Sequence, residues 1–538
     1  MCGILGIFGK NDLEVQHVQA LSQRMSHRGP DMQDYQVNDS KTGIITHERL
    51  AIIDLHTGKQ PIQGTTTAYV VHNGEIYNHI QLKKNELKEY IFRTTCDSEV
   101  IVKLYEKYGL DICNKLDGVF GFIIMDGDQY MVARDPIGIK PLYYGQDQKG
   151  AYYFASEMKV IEDQVEEVRA FPPGYYFTPT TGFVQYYKPD WQDVEACHDQ
   201  LNLEHLREAL IDATRKRLMS DVPLGVLLSG GLDSSLISSI TARILKEEGK
   251  KLHSFSVGLD ENAPDVIAAK EVATFIGTEH HTIQFSFEEG LAIIDQLIWH
   301  LETYDITSIR ASTPMYIMSK YITDMGIKVV LSGEGSDEIF GGYLYFHNAP
   351  SDEEFQKETI RRVQLLSTAD CLRADKSTMA WALEARVPFL DRHFLDVAMM
   401  IDPSFKRPNR SAGKMEKHIL RLAFDDQENP WLPADILWRQ KEQFSDGVGY
   451  SWIDQLVDYC ADQITDEEML QAETLFPINP PTTKEAMYMR KIFHAHFPSD
   501  TAAKTVKKWI PKWQENEDPS GRASTIHEQT TEVNKVAI

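Results

Sequence analysis

The chain has 538 residues, 42% of them hydrophobic and 25% charged, an ordinary globular composition with room for two large domains or several smaller ones. Its net charge of −25 repels phosphate backbones and argues against nucleic acid as a partner. Gly118–Met125 is among the longest mainly apolar stretches, far short of the roughly 18 residues a membrane helix needs, and no basic n-region opens the chain, so neither a membrane span nor a signal peptide is expected.

The chain begins Met1-Cys2-Gly3-Ile4. Removal of Met1 would leave a thiol with a free α-amine a few atoms away. The amine titrates near 8 and the thiol near 8.5, so one residue supplies both nucleophile and base. The bland alternative is a small buried cysteine. From here to about residue 190, Gly43–Ile53, Ala68–His72, Gly121–Met125, Tyr130–Ala133 and Ala151–Ala155 read as strands, and Glu99–Tyr108 has helical spacing. The pattern predicts stacked antiparallel sheets with helices. This half also carries His27-Arg-Gly-Pro-Asp31, Arg49-Leu-Ala-Ile-Ile53, Asn73-Gly-Glu-Ile-Tyr77 and Asp97-Ser-Glu99. An Arg49 fork suits a substrate α-carboxylate, Asn73 and Gly74 can offer two donors to an oxyanion, and Glu75 and Asp97 can hold an α-ammonium. Singly, each has a plainer reading: Asn-Gly as a hairpin turn, Arg49 as a surface charge, Asp97 as a helix N-cap. Tyr187–Asn202 is polar and less patterned, a candidate linker.

From about residue 203 strands and helices alternate. Strands are expected at Leu224–Leu228, His253–Leu259, His281–Phe285 and Lys328–Leu331, with helices at Ser234–Leu245, Asp265–Ile276 and Phe287–Leu301. This is the texture of βαβ units on a parallel sheet. Residues 395–510 are mostly helical in pattern, and the tail after Trp513 is polar. The strand Leu224–Leu228 runs into Ser229-Gly-Gly-Leu-Asp-Ser-Ser235, whose backbone N–H groups would face an anion at a helix N-terminus. No Lys follows the second Gly, so this is not the nucleotide-hydrolase P-loop. It resembles the pyrophosphate loop of ATP pyrophosphatases, which split ATP between its α- and β-phosphates. A second loop, Leu331-Ser-Gly-Glu-Gly-Ser-Asp-Glu338, follows another strand and precedes Gly341-Gly342-Tyr343. Loops at the carboxyl ends of neighbouring strands share a site in such sheets. Asp233 and Asp337 are hard oxygen ligands suited to Mg²⁺, and Glu334 is placed to act on an acyl group. Six cysteines at 2, 96, 113, 197, 371 and 460 form neither a metal knuckle nor a disulfide framework, which fits a reducing, cytoplasmic setting.

Together these motifs resemble the glutamine-hydrolysing asparagine synthetases. The likeness runs from Cys2 to about residue 500, resumes weakly at Asp518–Arg522, and includes the strings Tyr304–Met315, Lys328–His347 and Arg439–Trp452. It implies a class II glutamine amidotransferase domain over residues 1–190, with an N-terminal-nucleophile αββα sandwich. An α/β ATP-pyrophosphatase-like domain with a helical C-terminal part follows over 203–513, then a polar tail over 514–538. The implied reaction consumes ATP, aspartate and glutamine with Mg²⁺ and yields asparagine, glutamate, AMP and pyrophosphate through a β-aspartyl-AMP intermediate. By this resemblance Cys2 forms a thioester, Asn73 and Gly74 make the oxyanion hole, and Arg49, Glu75 and Asp97 hold the amino-acid end beside the backbone of Leu50, Ile52 and Ile53. Ser229, Gly230, Gly231, Asp233, Ser234 and Ser235 cradle phosphate, Leu228 and Val257 flank the nucleotide, and Ser332 and Gly333 contact it. Thr307, Ser308 and Arg310 would hold aspartate, with Ser308 standing where Thr is expected, and Lys414 would neutralise pyrophosphate. Partners are expected to be small molecules, with a homodimer left open. Two rivals remain: an amidotransferase with a phosphoribosyl or sugar acceptor, which would lack the Ser229–Ser235 loop, and a catalytically dead sensor, which would lack catalytic residues.

Overall fold

The computed structural model describes residues 2–441 and 451–514. Twelve strands occupy the first part: β1 (Gly3–Phe8), β2 (Met32–Val37), β3 (Gly43–Arg49), β4 (Ile62–Gln63), β5 (Ala68–Ile76), β6 (Gly118–Asp126), β7 (Gln129–Arg134), β8 (Tyr143–Gln146), β9 (Tyr152–Ala155), β10 (Arg169–Ala170), β11 (Tyr175–Thr178) and β12 (Gly182–Gln185). They form two antiparallel six-stranded sheets, β10-β8-β9-β1-β3-β2 and β12-β11-β7-β6-β5-β4. All six residues of β1 are buried, because both of its faces are covered. Ile4 and Phe8 pack against Ile123 and Val132 of the opposite sheet. Leu5 and Ile7 turn the other way, toward Val18 and Leu21 on the helix Val15–Gln23. The second sheet is covered on its outer side by Glu99–Tyr108, whose Val100, Ile101 and Leu104 meet Val70, Phe120 and Phe122. The order is therefore helix, sheet, sheet, helix: the expected αββα sandwich.

The second part is built on a parallel sheet of β13 (Leu224–Leu227), β14 (His253–Gly258), β15 (Glu279–Gln284), β16 (Val329–Leu331) and β17 (Glu384–Arg386), in the order β15-β14-β13-β16-β17. Alternation of side chains sends Val226 and Leu331 to a core with Leu236 and Ile240 of the helix Leu232–Glu247. Leu227, Phe255 and Val330 point oppositely, to a core with Ile309, Met315 and Ile322 of the helix Ile306–Asp324. Helices dominate the remainder. Among the described residues, no helix is long and apolar enough to cross a membrane.

Three local expectations change. Asn73-Gly74 is not a turn but lies inside β5, paired with Gly121 and Phe120. The run Phe287–Leu301 is two helices, Phe287–Ala292 and Ile294–Leu301, so that Phe287 stays against Trp452 while Ile294, Leu297 and Ile298 enter the core. The polar stretch Tyr187–Asn202 is anchored rather than loose: Trp191 and Cys197 are buried in a core with Leu206, Leu210 and Phe394. The tail beyond Gln514, including Asp518–Arg522, and most of Arg439–Trp452 lie outside the described residues.

The two parts share buried surface. Tyr77, Val119, Ile137 and Ile139 join Phe389 and Leu390 in one apolar core. Charged groups are buried with them: Arg28 pairs with Asp375 at 2.8 Å, and Glu302 accepts the N–H groups of Met158 and Lys159 at 2.8 and 2.7 Å. Breaking one partner of such a pair leaves an uncompensated charge, a loss of about 3–5 kcal/mol, so these contacts fix the relative placement of the two halves.

Candidate active sites

Cys2 immediately precedes β1, and its backbone is held from two sides. Its N–H donates to Asn73 Oδ1 at 2.9 Å, and its carbonyl accepts from Arg28 Nε at 3.0 Å. Sγ lies 3.9 Å from the Leu50 carbonyl. Burial pushes the thiol above its ordinary value, so it ionises only with a base beside it. Asn73 is fully buried and, with Oδ1 spent on Cys2, its Nδ2 has no hydrogen-bond partner. A buried amide donor left open beside a thiol is suited to an oxyanion. Gly74 sits at φ +147°, and a Cβ there would lie 1.9 Å from the Val119 carbonyl, so only glycine fits.

The other residues expected to hold the amino-acid end gather around this pair. Arg49 is buried, contrary to a surface charge, and anchored by Nη2 donating to the Asp54 carbonyl at 2.6 Å. Leu50 and Ile52 are buried and Ile53 is half-buried, and the Ile52 carbonyl accepts from Asp221 N–H at 3.1 Å. Asp97 is not the cap of the helix Glu99–Tyr108, whose N-cap is Ser98; its Oδ2 accepts the Ile76 N–H at 2.7 Å, tying it to the strand that carries Glu75. Glu75 Oε1 lies 3.2 Å from Arg386 Nη2, while Oε2 is buried without a hydrogen-bond partner.

The second site is the cleft at the carboxyl ends of β13, β14 and β16. Gly230, at φ +76°, lets the loop pass so close to the helix Pro264–Ile276 that a Cβ would lie 2.5 Å from Ala268 Cβ. Ser229 and Ser234 hydroxyls bond at 2.9 Å across the loop, and Gly231 is the N-cap of Leu232–Glu247. The two glycine-rich loops touch: a Cβ on Gly333 would lie 2.7 Å from Ser234 N. Leu228, Ser229, Gly231, Asp233, Ser234, Val257, Thr307, Ser332, Gly333, Glu334 and Asp337 all line this cleft. Gly230 instead faces the helix behind it, and Ser235 is fully buried.

Its electrostatics rest on groups without a sequence signature. Lys417 Nζ pairs with both Asp233 and Asp337, the latter at 2.6 Å, and Lys441 reaches Asp337 at 2.8 Å. Burial would raise the Asp337 carboxyl, but these two ammonium groups hold it down to about 2. Gly342 makes room for Lys417, since a Cβ there would lie 2.1 Å from Lys417 Cε. Arg373 donates from Nη2 to Glu334 at 2.9 Å; burial nonetheless keeps the Glu334 carboxyl above its usual range. Arg439 reaches the Gly230 carbonyl at 3.2 Å. Asp233 Oδ1 is buried without a hydrogen-bond partner, and with Asp337 it offers the hard oxygen donors that suit Mg²⁺.

Three expected residues sit differently. Lys414 is outside the cleft, its Nζ donating to the Ser404 carbonyl at 3.2 Å; Lys417, three residues on, lines the cleft instead. Ser308 is taken up by the cap of its own helix, its N–H and Oγ both donating to Oδ2 of the N-cap residue Asp305. Arg310 is turned into an adjoining cavity, where it pairs with Glu485 at 2.5 Å. Of the three residues expected for aspartate, only Thr307 lines this cleft.

A family model described as asparagine synthase matches residues 205–356 and 348–518, and one described as a glutamine amidotransferase domain matches residues 1–174. Among curated relatives, an asparagine synthetase [glutamine-hydrolyzing] 2 from Oryza sativa subsp. japonica is 48% identical over 99% of this chain and 94% of its own length. An asparagine synthetase [glutamine-hydrolyzing] 1 from Arabidopsis thaliana is 49% identical over 97% and 94%. A probable asparagine synthetase [glutamine-hydrolyzing] from Dictyostelium discoideum is 49% identical over 99% and 100%.

Proposed function

The chain belongs to the asparagine synthase family, and we propose that it makes asparagine from aspartate with ATP, taking nitrogen from glutamine. Residues 1–190 would release ammonia and residues 203–513 would use it, in a cytoplasmic setting. The observation that carries the reading is the unspent Asn73 amide beside Cys2 in the same chain as a cleft formed by two touching glycine-rich loops.

In the first half, the Cys2 thiolate attacks the glutamine amide carbon. With Met1 removed, the α-amine of Cys2 takes the thiol proton, which answers the burial that otherwise keeps the thiol protonated. Asn73 Nδ2 and the Gly74 N–H receive the developing oxyanion, while Arg49 faces the α-carboxylate and Glu75 and Asp97 the α-ammonium. The C–N bond breaks, ammonia leaves, and water hydrolyses the thioester to glutamate.

In the second half, a β-carboxylate oxygen of aspartate attacks the α-phosphorus of ATP and pyrophosphate leaves. Ammonia then attacks the acyl carbon and AMP leaves. Ser229, Gly231 and Ser234 lie at the helix N-terminus, where the dipole favours the phosphates. Lys417, Lys441 and Arg439 add positive charge. Asp233 and Asp337 would hold Mg²⁺, which when bound neutralises phosphate charge. Glu334, kept basic enough by burial to take a proton, would receive the one lost as ammonia becomes an amide.

The test is pyrophosphate release with aspartate, ATP, Mg²⁺ and glutamine. The expected result is pyrophosphate and asparagine in equal amounts, both dependent on aspartate. Glutamate formation with no aspartate-dependent pyrophosphate would overturn the reading in favour of another acceptor; neither product would point to a sensor.

A further inference from the structure

At the amino ends of β14 and β15, away from both sites, three metal-ligating side chains converge. His253 opens β14 and Glu279 opens β15; the two are directly paired in the parallel register, and His281 lies two residues further, opposite Phe255. All three therefore project from one face of the sheet. A ligand atom from each lies within 4.8 Å of the others. His253 Nδ1 and His281 Nε2 are 3.2 Å apart. Two nitrogens bound to one tetrahedral Zn²⁺ at about 2.05 Å would lie about 3.3 Å apart, so the pair already stands at the spacing of a shared ion.

The rings are held there by packing. His281 stacks on Phe255 at 5.1 Å and 19°, and on His253 at 5.4 Å and 26°. Phe255 is fully buried, so the stack is rooted in the core. Glu279 is exposed and its N–H donates to the Leu252 carbonyl at 2.9 Å, which fixes its backbone and leaves its carboxylate at the open side. The ordinary alternative is a hydrogen-bonded histidine pair with a bystander acid. That alternative accounts for one histidine nitrogen contact but not for a carboxylate oxygen within 4.8 Å of a nitrogen of each ring.

We propose that His253, Glu279 and His281 form a binding site for a divalent transition-metal ion of the zinc class. Two imidazoles and one carboxylate favour such an ion over Mg²⁺, which prefers oxygen. The fourth position faces solvent and is left to water. The ion would clamp β15, the edge strand of the sheet, to β14. Val257, which lines the nucleotide cleft, lies four residues along β14 from His253, about 13 Å away. The site is thus a brace for the strand that flanks the nucleotide, distinct from the Asp233–Asp337 pair.

The test is calorimetric titration of chelator-stripped full-length protein with Zn²⁺ in excess Mg²⁺, which fills the carboxylate sites, for wild type, Glu279→Gln and His281→Ala. Co²⁺ is used in parallel, because its visible absorption reports tetrahedral nitrogen ligation. The expected result is one Zn²⁺ per chain in wild type, bound at least tenfold more weakly by Glu279→Gln and lost in His281→Ala, with the Co²⁺ bands following. Glu279 is exposed, so its variant keeps the test valid if His281→Ala does not fold. No Zn²⁺ binding by wild type, or equal binding by wild type and Glu279→Gln, overturns the proposal.

Discussion

Arg386, on the edge strand of the parallel sheet, reaches across to Glu75 beside Asn73 and Gly74 in the other half, with Nη2 3.2 Å from Oε1. The same residue's carbonyl accepts the N–H of Ser332, in the nucleotide cleft, at 2.8 Å. Its Nη1 is fixed by the carbonyls of Arg217 and Met219 at 2.6 and 2.5 Å. One side chain and one carbonyl thus bridge the two sites. Burial and the neighbouring Glu384 raise the Glu75 carboxyl, and Arg386 opposes them. Removing that guanidinium raises it further, so higher pH is needed to ionise Glu75. Arg386→Met is expected to raise KM for glutamine at least tenfold and to move the acidic limb of the glutaminase pH profile upward. An unchanged acidic limb with an unchanged KM would show that the pair is structural only.

Cys2→Ala should abolish glutamate release while ammonia-dependent asparagine synthesis persists, because Cys2 contacts Asn73, Leu50 and Arg28 and none of the cleft groups. Asn73→Ala removes one oxyanion donor and should lower glutaminase kcat by about 10²–10³. Both are read from glutamate release with and without ammonium salt. Wild-type glutamate release by Cys2→Ala would remove Cys2 from the reaction.

The features legible in the sequence are those set by near neighbours. The period of Glu99–Tyr108 gives a helix with those bounds, and the strand-then-glycine pattern at Leu224–Ser235 gives the loop and the helix behind it. What escaped depends on distant residues. Lys417 acquires its role from Asp233, 184 positions away, and adopts a left-handed backbone at φ +58° that nothing in its neighbourhood requires. Lys414 carries the same charge in the same stretch, so composition could not choose between them. Arg373 and Arg386 are likewise ordinary arginines until the fold places carboxylates beside them. Gly341-Gly342 was the available clue, since a glycine pair invites the question of what approaches it.

Asp233→Asn and Asp337→Asn each keep shape and remove one negative charge facing Lys417. Each should abolish asparagine synthesis from either nitrogen source and leave glutamine hydrolysis within about twofold of wild type. Synthesis is assayed across a Mg²⁺ series. Wild-type synthesis at limiting Mg²⁺ in either variant would dismiss the metal role.

Acid stability should depend on Asp391. Burial would raise this carboxyl, but Arg217 at 2.9 Å and Lys216 at 3.1 Å hold it down to about 2. A folded value below the unfolded one of about 3.9 stabilises the native state above pH 4, by about 2 kcal/mol, and that contribution is lost as pH falls from 4 to 2. Asp391→Asn should therefore lower Tm at pH 7 and flatten its fall between pH 4 and 2. The measurement is Tm against pH; parallel curves for the two proteins would exclude the linkage.

Nitrogen is expected to pass between the halves without entering solvent. Free ammonia is mostly protonated near neutral pH and is then no nucleophile, so capture requires a path away from water. The two halves meet through buried apolar and paired charged groups, Arg28 with Asp375 and Glu75 with Arg386 among them. Amide-labelled glutamine supplied with excess unlabelled ammonium salt tests this under conditions where glutamine is the favoured source. Label in asparagine well above the bulk ammonia pool is the expected result. Label equal to that pool would mean that ammonia equilibrates with solvent, and that the buried interface holds the two halves together without conducting anything between them.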